Sequence, residues 1–484
     1  MKIHKDKRFF RIIITYLIFI SFPGMNAFPE ILYKSDTAVF IPDRAAAAAS
    51  ADSNIDDIEF MYYSFRFSGV SEEKAAAYLD KYENLAIEFS RYLKEENIEN
   101  ADSFRKGEAL LSYLHDNLLV KYSEMETRID VLFEKGIFNC VSSGIIYFAL
   151  AMRSNLDVRG VRTDDHAFCA LTIDGETVDV ETTTKYGFDP GEKKEFSDSF
   201  GQTGFRYTPP SNYRDRRDID SKQMLSLILQ NRISEMQHKG NYTGTVSIAV
   251  DRHALLGTEE SYRDLMTEFK NHAVLLSNRN EFGNAVSFLA SAASAYDYNP
   301  VLTDTAGKLF YNQIVIMLDK NQTESAQEFY NYFQSEPVIG LLIKEEVYKI
   351  LNDRKLYNFV MKKGFSDSNQ EILNYREKGL ITEKEKNEYI VFIYSREIQR
   401  LSSEEGWSAA LDASKNAVLE TDNDSRIIKL KETVENNIGV IFHNRFVSLY
   451  NKGEKEQAAA VLEEGLAVIP GNKTLLSDFE YLKN

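Results

Sequence analysis

The sequence predicts two folded units of different class: an α+β domain at about residues 58–220, followed by an all-α helical-repeat solenoid at about 221–484. Three observations lead there. The chain has 484 residues, too many for one ordinary core at roughly 150 residues per domain. Hydrophobic residues make up 43% and charged residues 27%, enough for sizeable cores beneath a solvated surface. Mixed helix and strand patterns are concentrated within residues 138–183, whereas nearly everything beyond Gln223 spaces its apolar side chains by three and four, as amphipathic helices do.

The N-terminus reads "MKIHKDKRFFRIIITYLIFISFPGMNAFPE". Lys2, Lys5, Lys7, Arg8 and Arg11 form a basic region, Ile12 to Phe22 is apolar, and Pro23 to Ala27 breaks the helix with small residues. That is the layout of a secretory signal peptide at 1–27, its apolar run well short of the ~20 residues of a membrane span. The expectation is an exported protein, periplasmic or extracellular, with no stable membrane span after cleavage; a retained N-terminal anchor is the alternative reading. Residues 28–57, including "RAAAAASADSN" at 44–54, read as a low-complexity linker.

From Ile58 to about Ser123 the pattern is helical, in "EEKAAAYLDKYENLAIEFSRYL" and "FRKGEALLSYLHDNLLVKY". Asn139 is a good N-cap for the apolar-periodic stretch that follows, which puts Cys140 in a first helical turn. There the macrodipole and free N–H groups favour a thiolate and could hold an oxyanion. Downstream, "HAFCALTIDGETVDVETT" alternates on both sides of Asp174-Gly175, a strong hairpin turn. A two-residue turn pairs Ile173 with Glu176. Parity then sorts His166, Phe168, Asp179 and Glu181 to one face and Ala167, Cys169, Leu171, Val178 and Val180 to the apolar other. Cys169 is accordingly a core residue, and no Cys140–Cys169 disulfide is expected. Glu181 falls diagonal to His166, within side-chain reach, while Asp179 sits about 13 Å along the ladder at ~3.3 Å per residue. Glu181 is the better partner for His166 and Asp179 the alternative acid. Residues 184–222 read as loop.

These elements resemble the transglutaminase-like branch of the papain-related cysteine enzymes. "NCVSSGIIYFALAMRSNLDVRGV" resembles the family's Cys-helix and following strand, "DDHAFCAL" its His strand, and "VDVETT" its Val-Asp-Pro-Thr element. "LLSYLHDNLLVKY" looks like the helix preceding the Cys, so the resemblance spans about residues 100–190. It implies a transglutaminase-like fold with Cys140 as nucleophile, His166 as general base and Glu181 as orienting acid. The chain departs from the family pattern in Glu181 for the usual Asp, Thr182 for Pro and Asn139 before the Cys, and no upstream Gln or Trp stands out as an oxyanion donor. The implied activity is that of a cysteine peptidase or amidase acting on a peptide or protein through a thioester on Cys140. The alternative is a non-catalytic exported scaffold in which both domains bind partner proteins.

The helical part is weakly self-similar at residues 238–256, 278–300, 319–333, 404–424 and 451–472. Each fragment has a polar or Gly turn, a small residue, then apolar residues. The last resembles the tetratricopeptide repeat, with Gly453, Ala458, Leu462 and Pro470 at its turn glycine, close-packing alanine, second-helix apolar position and terminal proline. Intervals of about 40–48 residues, and about 84 across the middle, exceed the ~34 of that repeat. Such a solenoid offers a groove for a protein partner, and its repeats contact mainly their neighbours, so a chain ended near Asp220 is expected to fold. A net charge of −17 without a dense basic patch argues against nucleic acid. The seven histidines show no metal-ligand spacing, and no phosphate-cradling Gly loop stands out, so no metal or other cofactor is expected.

Overall fold

A computed structural model describes residues 37–52, 54–164, 166–191 and 216–483. The signal segment at 1–27 and residues 28–36 of the linker lie outside the described residues. Among those described, no helix is long and apolar enough to cross a membrane. The described residues are mostly helical, with nineteen α-helices, one four-stranded sheet and one two-stranded sheet.

The first unit is organised around helix α6 (Cys140–Arg153), in which every residue from Val141 to Ala151 is buried. A helix apolar on all sides must be covered on all sides. One flank meets strands β3 (Val158–Arg162) and β4 (Ala167–Ile173); the others meet helices α2 (Asp57–Phe67), α4 (Ser103–Asn117) and α7 (Ser221–His238). Phe60 of α2 stacks on Phe148 with ring centroids 5.0 Å apart. Helix α3 (Glu72–Glu95) packs outside α2 and α4, and helix α5 (Ile129–Lys135) leads into the short strand β2 (Ile137–Phe138), which runs parallel to β1 (Lys121–Tyr122).

The main sheet is antiparallel, in the order β5 (Glu176–Val180), β4, β3, β6 (Arg217–Ile219). Asp174 and Gly175 both have positive φ, 51° and 84°, the primed turn that matches strand twist. Pairing starts at Ile173↔Glu176 and reaches Cys169↔Val180, the register expected of a two-residue turn. Ala167, Cys169, Leu171 and Val180 enter the core against α6, while Phe168, Ala170 and Val161 form a small cluster on the far face. Strand β6 lies in the stretch expected to be loop. Its three residues, Arg217-Asp218-Ile219, are too short and charged to alternate, and their pairing with β3 is a tertiary effect.

Two expected boundaries are corrected. The linker at 28–57 contains helix α1 (Arg44–Ala51), capped by Asp43 and burying Ala45, Ala46 and Ala49 against helix α8 (Tyr242–Leu256) and α2. An alanine run has high helix propensity, and its bare surface permits close packing. The boundary at 220/221 cuts through a core: Met224, Leu225, Leu227, Ile228 and Leu229 of α7 are buried with α6 and the sheet. Met224 reaches the backbone of both Gly144 and Gly160, where an added Cβ would lie 2.7 Å from its Cε and 3.1 Å from its sulfur.

Beyond α7 the helices form consecutive pairs: α7–α8, α9–α10 (Glu259–Asn278, Phe282–Ala295), α11–α12 (Pro300–Asp319, Thr323–Phe333), α13–α14 (Leu341–Lys362, Phe365–Glu377), α15–α16 (Glu383–Glu404, Trp407–Glu420) and α17–α18 (Ser425–Asn451, Lys455–Val468), closed by α19 (Lys473–Lys483). The fourth residue of each second helix is Thr245, Ala285, Ala326, Ser368, Ala410 or Ala458, each at most 1% exposed. A small side chain there lets paired backbones approach closely. The pair α13–α14 fills the long middle interval of the sequence repeat; Ser368 in place of alanine and a polar second helix hid it. Helix α13 joins two successive cores, giving Val347 and Leu351 to one and Leu356 and Val360 to the next.

A chain ended at Asp220 should therefore aggregate or remain unfolded, having lost the α7 side chains that cover α6. One ended at Gly257, which keeps α7 and α8, should show a cooperative thermal transition. Circular dichroism melts of the two proteins check this, and cooperative folding of the shorter chain would contradict it.

Candidate active site

The N-terminus of α6 is fixed by its cap. The Asn139 side-chain oxygen accepts from the N–H groups of Val141 and Ser142, both at 3.0 Å, and the Asn139 N–H donates to Ser142 Oγ at 2.9 Å. Asn139 Nδ2 donates to Thr127 Oγ1 at 2.7 Å and to the Glu124 carbonyl at 3.0 Å, and Asn231 of α7 donates to the same Thr127 oxygen at 3.0 Å. The cap thus ties the start of α6 to the loop after β1 and to α7. Cys140 is the first helical residue, half-buried, and the capping bonds leave its own N–H as an uncapped donor at the positive end of the helix.

His166 and Glu181 lie one residue outside the strand ends of the hairpin, both buried. His166 Nε2 and Glu181 Oε2 are 2.6 Å apart. The other carboxylate oxygen accepts from the Thr183 N–H at 3.1 Å and hydroxyl at 2.7 Å, so both oxygens are satisfied. Burial opposes charge on the imidazole, but the Glu181 carboxylate and hydrogen bonds to Cys140 and Glu181 outweigh it and hold His166 above its ordinary value. Burial likewise opposes charge on Glu181, yet His166 and the Thr183 bonds bring its carboxyl below the usual range. With Nε2 engaged by the acid, Nδ1 is the nitrogen left for the Cys140 thiol.

The loop after Glu181 is closed on it. The Glu181 N–H donates to the Gly187 carbonyl at 2.8 Å, and a Cβ at Gly187 would sit 1.9 Å from the Glu181 carbonyl oxygen. Only glycine admits that approach. The Thr182 carbonyl accepts from His115 Nε2 at 3.1 Å, and Thr182 Oγ1 is 2.9 Å from Ser143 Oγ of α6. Helix, His strand and acid loop are therefore laced together around the three side chains.

Asp179, the alternative acid, is engaged elsewhere. It receives two bonds from Arg216, at 2.6 and 2.9 Å, and that guanidinium lies over the Phe168 ring on the far face of the sheet. Cys169 is fully buried, its thiol donating to the Gly144 carbonyl at 3.4 Å, and burial and the Glu181 charge raise its pKa. Both thiols are free. The sequence singled out Cys140, His166 and Glu181; it did not single out Ser143, Thr183, His115 or Tyr122, whose parts depend on contacts between distant segments. His115 stood inside the helix "LLSYLHDNLLVKY", its role invisible without Thr182 opposite.

Comparison with models of known protein families gives no match to this sequence, and comparison with curated proteins gives none.

His115 offers a pH test of this lacing. Burial, aided by the Lys185 charge and opposed by the bond to Thr182, lowers its pKa to about 4. A depressed histidine contributes stability that is fully present above about pH 6.5 and is lost as pH falls towards 4. His115→Gln, which keeps a donor for Thr182, should flatten that acid loss by an amount on the order of 3 kcal/mol between pH 6.5 and 4. Chemical denaturation across that range measures it; parallel curves for the two proteins would contradict the assignment.

Proposed function

We propose that the protein is an exported cysteine amidohydrolase, a peptidase or amidase of transglutaminase-like type, with a tetratricopeptide-like helical array that binds the protein carrying the scissile bond. The observation that carries this reading is the order Cys140, His166, Glu181: a thiol at a helix N-terminus against an imidazole whose other nitrogen is bonded to a fully buried carboxylate. A surface ion pair would need none of that burial. The cost of enclosing Glu181 is justified by what it does to His166.

The proposed steps are as follows. With its proton held by His166, the Cys140 thiolate attacks the carbonyl carbon, a C–S bond forms, and the π pair moves to oxygen. The tetrahedral adduct collapses, the C–N bond breaks, and the amine leaves with the proton from His166, producing a thioester. His166 then removes a proton from water, hydroxide adds to the thioester carbonyl, and collapse breaks the C–S bond, releasing the acid and leaving the Cys140 thiolate beside the reprotonated His166. Glu181 keeps Nε2–H in place and stabilises the imidazolium throughout. An amine replacing water in the second half would give transamidation by the same route.

A peptidyl electrophile directed at thiols should label Cys140 alone, and amide turnover should fall at least about 10⁴-fold in Cys140→Ala and His166→Ala, which fail as a unit. Glu181→Gln should cost about 10²-fold, keeping an acceptor for the imidazole while losing the charge. Asp179→Asn should leave turnover near normal and lower stability, since it breaks the Arg216 pair. Unchanged biological activity in Cys140→Ala would identify a binding scaffold instead, and a larger loss in Asp179→Asn than in Glu181→Gln would overturn the acid assignment.

A further inference from the structure

The short parallel sheet β1·β2 places Tyr122 directly opposite Phe138, two residues before Cys140. Residues paired in a parallel ladder project to the same side, so the two rings share a face and meet edge-on, with centroids 5.8 Å apart. Phe138 is in turn edge-on to His115, the residue bonded to Thr182 beside Glu181. Phe138 thus links the Tyr122 ring to His115, and the phenol lies near enough to Cys140 and Glu181 to feel both charges. Among the described residues its hydroxyl makes no hydrogen bond, whereas Ser143, Thr182 and Thr183 nearby are all engaged. The helix start adds a second donor, the Cys140 N–H, which the Asn139 cap leaves unbonded.

We propose that the Tyr122 hydroxyl is a catalytic residue: together with the Cys140 N–H it donates to the oxygen that becomes negative when Cys140 adds to the substrate carbonyl. This rests on the amidohydrolase reading. When the C–S bond forms and the π pair moves to oxygen, that oxygen gains a full charge, and preformed donors aimed at it lower the barrier without reorganising. The phenol suits the task because it keeps its proton. Burial, then the Cys140, Glu124 and Glu181 charges, raise its pKa far above the working range. Being held by a strand pair rather than a loop, it approaches the same point in every turnover. It supplies the side-chain donor that no Gln or Trp upstream of Cys140 supplies.

The test separates addition to a carbonyl from simple alkylation of sulfur. p-Nitrophenyl acetate passes through an oxyanion; iodoacetamide, which alkylates Cys140 by displacing iodide, does not. In the full chain, Tyr122→Phe should lower kcat for the ester about 10²–10³-fold. It should leave KM, the alkylation rate of Cys140 and the melting temperature close to those of the unmodified protein. Tyr122→Phe kinetics within twofold of normal, with Cys140→Ala inactive, would overturn the oxyanion role and leave the amidohydrolase reading standing. An equal fall in alkylation and ester turnover would make Tyr122 a packing residue and overturn the role as well. Ester hydrolysis unchanged in Cys140→Ala would remove the reading and the proposal together.

Discussion

The bond between Glu181 and His166 is the constraint from which the rest of the first unit follows. A carboxylate with no solvent exposure loses several kcal/mol of hydration, and a chain tolerates that only where partners replace the water. Here His166 takes one oxygen and Thr183 the other. Those partners must themselves be held. Thr183 belongs to the loop that Gly187 folds back onto Glu181, Thr182 is tied to α4 through His115 and to α6 through Ser143, and His166 opens a strand whose register is fixed by the Asp174-Gly175 turn. Remove any one of these and a buried charge loses its geometry.

The same logic explains why α6 lies at the centre. In the proposed reading, a nucleophile at a helix start works only if that start does not move relative to its base. Burying eleven consecutive residues fixes the helix, and the Asn139 cap, bonded to Thr127 and through it to α7, fixes its end. Helix α7 therefore has two duties. It covers α6, and as the first member of the first helix pair it begins the solenoid, so the array grows out of the core instead of hanging from a linker. Helix α1 reinforces the junction, since Asp43 both pairs with Arg66 of α2 at 2.9 Å and donates its N–H to Asp251 of α8 at 2.7 Å.

What could be read from sequence was whatever local chemistry decides. The Asp-Gly turn fixed a register, the register separated Glu181 from Asp179 and sent Cys169 into the core, and Asn139 marked the helix start at Cys140. What could not be read depends on segments meeting. Strand β6 has no alternation of its own; α7 has the same periodicity whether it covers a neighbouring domain or begins an array; and α1 was mistaken for a tether because alanine gives high helix propensity without an apolar stripe. The pair α13–α14 was hidden because a buried serine does alanine's work at position 368. Tyr122 and His115 gain meaning only from the residues across from them.

The central claim, that a buried carboxylate holds the His166 imidazole charged, is most directly measured by following the His166 ring in the folded protein by NMR as pH is raised. The account predicts a ring protonated on both nitrogens at pH 8, with its Nε2 proton protected from exchange by Glu181, and a titration midpoint well above the ordinary histidine value. A His166 ring that is neutral at pH 8 and titrates at or below that value would contradict it.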